Sequence, residues 1–337
     1  MDDPLLKISV VLLFALIFLL SLYSLKFLQS ILITTKQHEG TTVVEPPGTT
    51  GWPIIGETLD YGRANLKGFP EKFFYDRVRK YSSKVFKTSL IGETVTVLDG
   101  PAGNKFLFSN EYKLVTIWWP RAIQRIVPIT DGITSPSGIQ LMAAGYHTTS
   151  TVITVLMKFL ADFPDVLNEV LQEQNEVAKS KSPGELLNLD DIYKMKYSWN
   201  VICEVPRLAP PFQGGFTEAL TDFTYAGYFI PKGRKLYWTG ISTHMNPENF
   251  PDPEKFDPSR FQGKGPAPYT FVPFGGGAGM CPGYEYARVE ILVLLHHVVR
   301  RYKWEKLIPG NINERLKVNP YPLPPKGFPI RLQPRTT

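Results

Sequence analysis

Apolar and polar positions change rhythm several times along the chain. The first pattern is an uncharged run at 8–25, mostly Leu, Val, Ile and Phe. As a helix rising about 1.5 Å per residue, it is roughly long enough to cross the hydrocarbon core of a bilayer. No small-residue cleavage site follows it, so an uncleaved anchor is expected. Asp2, Asp3 and Lys7 precede the run, and Lys26 and Lys36 follow it. That asymmetry places the body of the protein on the cytosolic side. Residues 1–28 thus read as a membrane anchor. Residues 29–50 read as a linker that stiffens at Pro46-Pro47-Gly48.

From residue 51 the chain becomes globular. Residues 70–81 carry a helical period, with Phe73, Phe74 and Val78 on one side. Residues 85–90 and 94–98 read as a hairpin turning at Gly92-Glu93. Residues 101–107 read as a short helix, and 114–137 show no clean period. Residues 138–163 are apolar around most of a helical circumference, which marks a buried helix. Pro164 opens a polar helix to about 180. A third helix covers 192–208, with a bend expected at Pro206. Residues 227–231 and 235–238 read as strands, and 259–274 are aperiodic. A last strong helix spans 282–302, and the Pro-rich tail 318–334 has β-like patches. The pattern predicts a mainly α protein with small β-sheets.

Composition narrows the chemistry. With only two cysteines, Cys203 and Cys281, neither a disulfide framework nor a multi-cysteine metal site is available. The net charge of +6 comes without a dense Lys/Arg run. Nucleic acid is therefore not an expected partner, whereas a membrane surface or an acidic protein is compatible with the charge.

Three motifs stand out. Phe274-Gly275-Gly276-Gly277-Ala278-Gly279-Met280-Cys281-Pro282-Gly283 delivers one cysteine to the start of a helix. Its glycines permit tight turns and close approach to a flat ligand. Its backbone N–H groups and the helix N-terminus can act as donors to a thiolate. Glu204 and Arg207 are spaced i, i+3, so they share a helix face and can lock together. Ala144-Gly145-Tyr146-His147-Thr148-Thr149 lies within the long apolar helix.

Together these resemble the cytochrome P-450 family. Phe256-Asp257-Pro258-Ser259-Arg260-Phe261 is similar to the segment that supplies a third member, Arg260, to the Glu204–Arg207 pair. Pro46 to Glu57 and Lys105 to Glu111 resemble plant triterpenoid and taxane oxidases, and Gly265 to Phe274 resembles the triterpenoid, amyrin-oxidase-like branch. The resemblance implies a haem-thiolate fold with haem b (iron protoporphyrin IX) held by Cys281 within a loop that includes Phe274, Gly277 and Gly283. It implies a monooxygenase that uses O₂ and electrons from an NADPH-dependent flavoprotein reductase. It also implies oxygen-side roles for Thr148 and His147, an apolar terpenoid substrate, and an endoplasmic reticulum membrane location with the haem domain, 51–337, in the cytosol.

The chain departs from that family in four places. An internal helical block is expected to be absent near 128–140, which makes the fold incomplete. Gly279 stands where relatives carry an arginine two residues before the ligand cysteine, and Thr217 stands where another arginine is common. Both arginines would pair with haem propionates, so weak haem retention is expected, with Gly279→Arg restoring it. His147 replaces an acid. The alternative reading is a truncated or degenerate, non-catalytic P-450-like membrane protein.

Overall fold

A computed structural model describes residues 10–25 except 12, 19 and 23, then 44–52, 55–126, 138–308, 316–319 and 321–335. The described residues between 10 and 25 are helical, and their apolar side chains lie open, Phe14 at 68%. Among the described residues no helix is long and apolar enough to cross a membrane. The 8–25 run lies partly outside those residues, as does most of the 29–50 linker. The linker's described end is docked: Pro47 C=O accepts from Lys87 N–H at 2.7 Å, and Glu45 pairs with Lys87 at 2.6 Å.

Helix α1 (Thr58–Leu66), which had no sequence signal, packs beside α2 (Pro70–Tyr81). Pro70 starts α2 at a position where its missing N–H costs nothing. Strands β1 (Val85–Leu90) and β2 (Glu93–Leu98) form an antiparallel hairpin. Helix α3 (Gly100–Ser109) follows. The aperiodic stretch after it holds β3 (Val115–Ile117) and α4 (Arg121–Ile126), both too short to show a period. The place near 128–140 where a helical block is expected to be absent falls largely on residues 127–137, outside the described residues.

Helix α5 (Gly138–Asp162) and α6 (Pro164–Lys179) meet at Phe163. The helix expected over 192–208 is two helices, α7 (Leu189–Lys194) and α8 (Lys196–Leu208). Met195 breaks it, with ψ at 59° and no exposed surface. Each half has its own start. Asn188 and Asp191 form a capping box for α7, and the Glu173 carboxylate accepts from Tyr197 and Ser198 N–H at 2.7 and 2.9 Å for α8. Pro206 does not interrupt α8, which continues to Leu208.

After α8 come β4 (Gly214–Ala219), the small antiparallel pair β5 (Phe223–Tyr225) and β6 (Tyr228–Ile230), β7 (Lys235–Thr239) and α9 (Gly240–His244). The main sheet has the order β1-β2-β7-β4-β3, and its one parallel pair is β2 with β7. Helix α10 (Tyr284–Arg301) runs into β8 (Tyr302–Lys306), which pairs with β11 (Ile330–Pro334). Short strands β9 (Lys317–Val318) and β10 (Pro322–Leu323) pair with each other.

Three cores result. One is helical: Val152, Val155 and Leu160 of α5 meet Val170 of α6, Val201 and Val205 of α8, and Ile291, Leu292 and Leu295 of α10. A second joins α2 to the sheet through Phe73, Phe74, Phe86, Val95 and Tyr237. A third sets Leu107 and Phe108 of α3 against Val115, Leu236 and Val272. Burial of such side chains contributes roughly 1.5–3 kcal/mol each. The aperiodic stretch from Pro258 onward contributes Val272 to the third core and carries the cysteine loop.

Candidate functional site

Helix α8 buries Glu204 and Arg207 completely. Arg207 Nε donates to Glu204 Oε2 at 2.6 Å, and Nη2 donates to Oε1 at 2.7 Å. Its other N–H groups reach the carbonyls of His244, Pro253 and Lys255. All five donors of the guanidinium therefore have partners, as a buried arginine requires. Glu204 Oε1 also accepts Asp257 N–H at 2.9 Å, and Arg260 Nε lies 3.5 Å from it. Burial pushes the Glu204 carboxyl above its usual range, against the pull of the paired guanidinium.

His244 extends this network toward the cysteine. It lies on α9 and is fully buried. Its Nε2 accepts Val272 N–H at 2.9 Å, across the fold. Burial, with the nearby Arg207 charge, holds its pKa down at about 3, so the ring is neutral. Val272 stands two residues before Phe274, where the glycine loop begins.

The loop closes on itself. Cys281 N–H donates to Phe274 C=O at 2.9 Å, and the Phe274 ring meets Tyr284 edge-on at 4.9 Å. Gly277, with φ at 71°, opens a 3₁₀ turn, Gly277–Gly279. A Cβ at Gly276 would come within 2.5 Å of the Phe108 ring, and one at Gly277 within 2.3 Å of the Phe108 carbonyl. The two middle glycines are thus demanded by α3, not only by a flat ligand. The Cys281 thiol is free and exposed. Gly283 caps α10, and a Cβ there would sit 3.7 Å from Cys281 Sγ. The other cysteine, Cys203, is buried in α8, and burial pushes its thiol up to about 12.

One contact had no signal in the sequence. Gly279 N–H donates to Glu111 Oε2 at 2.6 Å. Glu111 is in the turn between α3 and β3, and burial pushes its carboxyl above its usual range, partly offset by the Gly279 hydrogen bond. Thr217 is buried in β4 with its hydroxyl unpartnered.

The α5 residues stand apart from this network. Thr148 Oγ1 donates to Ala144 C=O at 2.7 Å, so its hydroxyl is engaged within its own helix. His147 stacks on Tyr321 at 5.9 Å, with the rings 16° from parallel. No described hydrogen bond or ring contact joins either residue to Cys281. The link is indirect: Val152 and Val155, on the next turns of α5, share a core with Ile291 and Leu292 of α10.

Among the described residues no group of three His, Cys, Asp or Glu could hold a metal ion. A lone exposed thiol in a glycine loop before a long helix suits an iron already held by a macrocycle. The donor set therefore fits a porphyrin iron. Fold and loop together define a haem-thiolate protein.

The comparisons agree. The family model "Cytochrome P450" matches residues 129–328. The beta-amyrin 28-monooxygenase of Solanum lycopersicum is 39% identical over 463 positions, covering 91% of this chain and 96% of that protein. The beta-amyrin 16-beta-monooxygenase of Platycodon grandiflorus is 37% identical, covering 86% and 93%. The solved structure of retinoic acid bound cyanobacterial CYP120A1 superposes with a TM-score of 0.72 at 21% identity, covering 88% of this chain and 100% of that one. The chain belongs to the cytochrome P450 family. It is by resemblance a monooxygenase of plant triterpenoid-oxidase kinship, and its cofactor is thiolate-ligated haem b. An alignment of 463 positions exceeds the chain's 337 residues, so relatives carry residues with no counterpart here.

Proposed function

We propose that this protein is a membrane-anchored haem-thiolate monooxygenase acting on a triterpenoid or sterol-like substrate. The observation that carries this reading is the Cys281 thiol, exposed and free at the mouth of a loop closed by its own N–H on Phe274. Bound there, haem supplies the redox chemistry that places one atom of O₂ into an unactivated C–H bond. Cys281 holds the iron, while Phe274, Gly277 and Gly283 fix the loop around it. Glu204, Arg207 and Arg260 brace the backbone beneath that loop through His244 and Val272. Thr148 holds a proton at Oγ1, at present directed to the Ala144 carbonyl, and His147 exchanges one with water.

The amyrin-oxidising names of the relatives support a large apolar terpenoid substrate. Electrons come from an NADPH-dependent flavoprotein reductase, whose acidic face the basic surface suits. The uncharged 8–25 run and the open apolar side chains within it support a single-pass anchor in the endoplasmic reticulum membrane, with 51–337 in the cytosol. The length of the alignment supports an internal block missing near 128–140.

A second reading, a shortened non-catalytic relative, is favoured by that same excess of alignment over chain. It is also favoured by Tyr146 and Tyr286, 70% and 68% exposed on the helices that would flank the ligand. The spectrum of the reduced, carbon-monoxide-bound protein separates the two. The monooxygenase reading expects the shifted Soret band of a haem-thiolate, abolished by Cys281→Ser. A purified, folded protein without that band establishes the second reading.

A further inference from the structure

The turn before β3 places a carboxylate against the ligand loop. Glu111 Oε2 accepts the Gly279 N–H, two residues before Cys281. The approach is close enough that a Cβ at 279 would meet Glu111 Oε1 at 2.1 Å and Ile117 Cδ1 at 2.6 Å. Glycine at 279 is therefore what this contact requires. Among the described residues no lysine or arginine pairs with Glu111, while Glu57 has Arg77 at 2.9 Å and Glu218 has Lys235 at 2.6 Å. Among the described residues no ion pair offsets the carboxylate that lies against the loop.

We propose that Glu111 is a positioning residue that fastens the Cys281 loop through Gly279 and keeps the site electronegative, so that it disfavours anionic ligands. This rests on the reading of Cys281 as the iron ligand. Haem brings two propionate carboxylates, and a fixed carboxylate beside the loop opposes them by like-charge repulsion. Glu111 therefore selects against haem retention while holding the loop in shape.

The same geometry changes what Gly279→Arg should do. The new Cβ must first displace the flexible Glu111 side chain. The guanidinium then finds that carboxylate as its nearest partner and is spent on it. Arginine at 279 alone is thus a poor haem anchor in this chain. It becomes effective only with Glu111→Gln, which keeps a carbonyl acceptor for backbone N–H groups and removes the charge.

The test uses the full-length chain with two readouts. In the haem-free protein, Cys281 is alkylated by neutral iodoacetamide or anionic iodoacetate, and the rate ratio reads the local charge. Cys203 is buried and stays silent. Glu111→Gln is expected to speed iodoacetate relative to iodoacetamide on the order of threefold at low ionic strength, and less at high salt. After haem titration, Glu111→Gln should hold haem about tenfold tighter than the unmodified chain, and Gly279→Arg/Glu111→Gln tighter than either single change. An unchanged alkylation ratio in a folded Glu111→Gln protein overturns the proposal whether or not haem binds. A shifted ratio with unchanged haem retention overturns its haem clause. A shifted ratio with no haem bound by any variant supports the charge assignment and overturns the ligand reading instead.

Discussion

Val272 N–H donates to Nε2 of His244 at 2.9 Å, and the carbonyl of the same His244 accepts from Arg207 at 3.0 Å. One fully buried residue, through its neutral imidazole and its backbone carbonyl, therefore joins the ion-paired helix to the stretch of chain that enters the cysteine loop. Replacing it with alanine leaves the buried Val272 N–H unsatisfied, at a cost of about 1–3 kcal/mol beyond the cavity it opens. His244→Gln, whose carbonyl oxygen reaches roughly where Nε2 lies, should recover part of that loss. Chemical denaturation of the three proteins measures it. Equal stability of the Ala and Gln variants would show that the hydrogen bond contributes nothing.

Arg207→Leu should be more damaging. It strands the buried Glu204 carboxylate and leaves three carbonyls without donors. Breaking a buried pair from one side destabilises by roughly 3–5 kcal/mol, so most product should be insoluble. Replacing both partners with apolar residues of similar size should be milder than the single change. Soluble yield and denaturation midpoints make the comparison.

Acid should unfold the protein through His244. Its pKa is about 3 in the fold, against an ordinary value near 6.5. Between these values the unfolded chain binds a proton that the folded one does not, so stability rises with pH. The contribution is complete above about pH 6.5 and is lost as pH falls toward 3, at about 1.4 kcal/mol per unit. His296, held down to about 4 by burial, adds in the same direction. Denaturation midpoints between pH 7 and 4 test this, and His244→Gln should flatten the slope.

Deleting residues 1–36 should release the protein at least partly from membranes after a carbonate wash. Complete retention of the shortened form in the pellet would rule out a single anchor at 8–25.

The sequence by itself determined what is local. Local pattern located α2, α3, α5, α6 and α10 to within a few residues, because helical period, apolar run and the prolines at helix starts are all contained in each segment. The glycine loop and its cysteine were legible as one contiguous string. Glu204 and Arg207 were legible because i, i+3 spacing fixes a shared face before any tertiary contact forms.

Tertiary structure decided the rest. Glu111 and Gly279 are 168 residues apart, and nothing in either segment's pattern points to the other. His244 looks like a turn residue until Val272 is brought to it. A glycine in a sequence says that a side chain is not tolerated, but not what would meet it. At Gly276 and Gly277 the answer is Phe108, and at Gly279 it is a carboxylate. Met195 splits a continuous helical pattern because Glu173, from another helix, caps the second half. Each of these depends on atoms that only the packed chain brings within hydrogen-bonding or van der Waals range, and no periodicity encodes them.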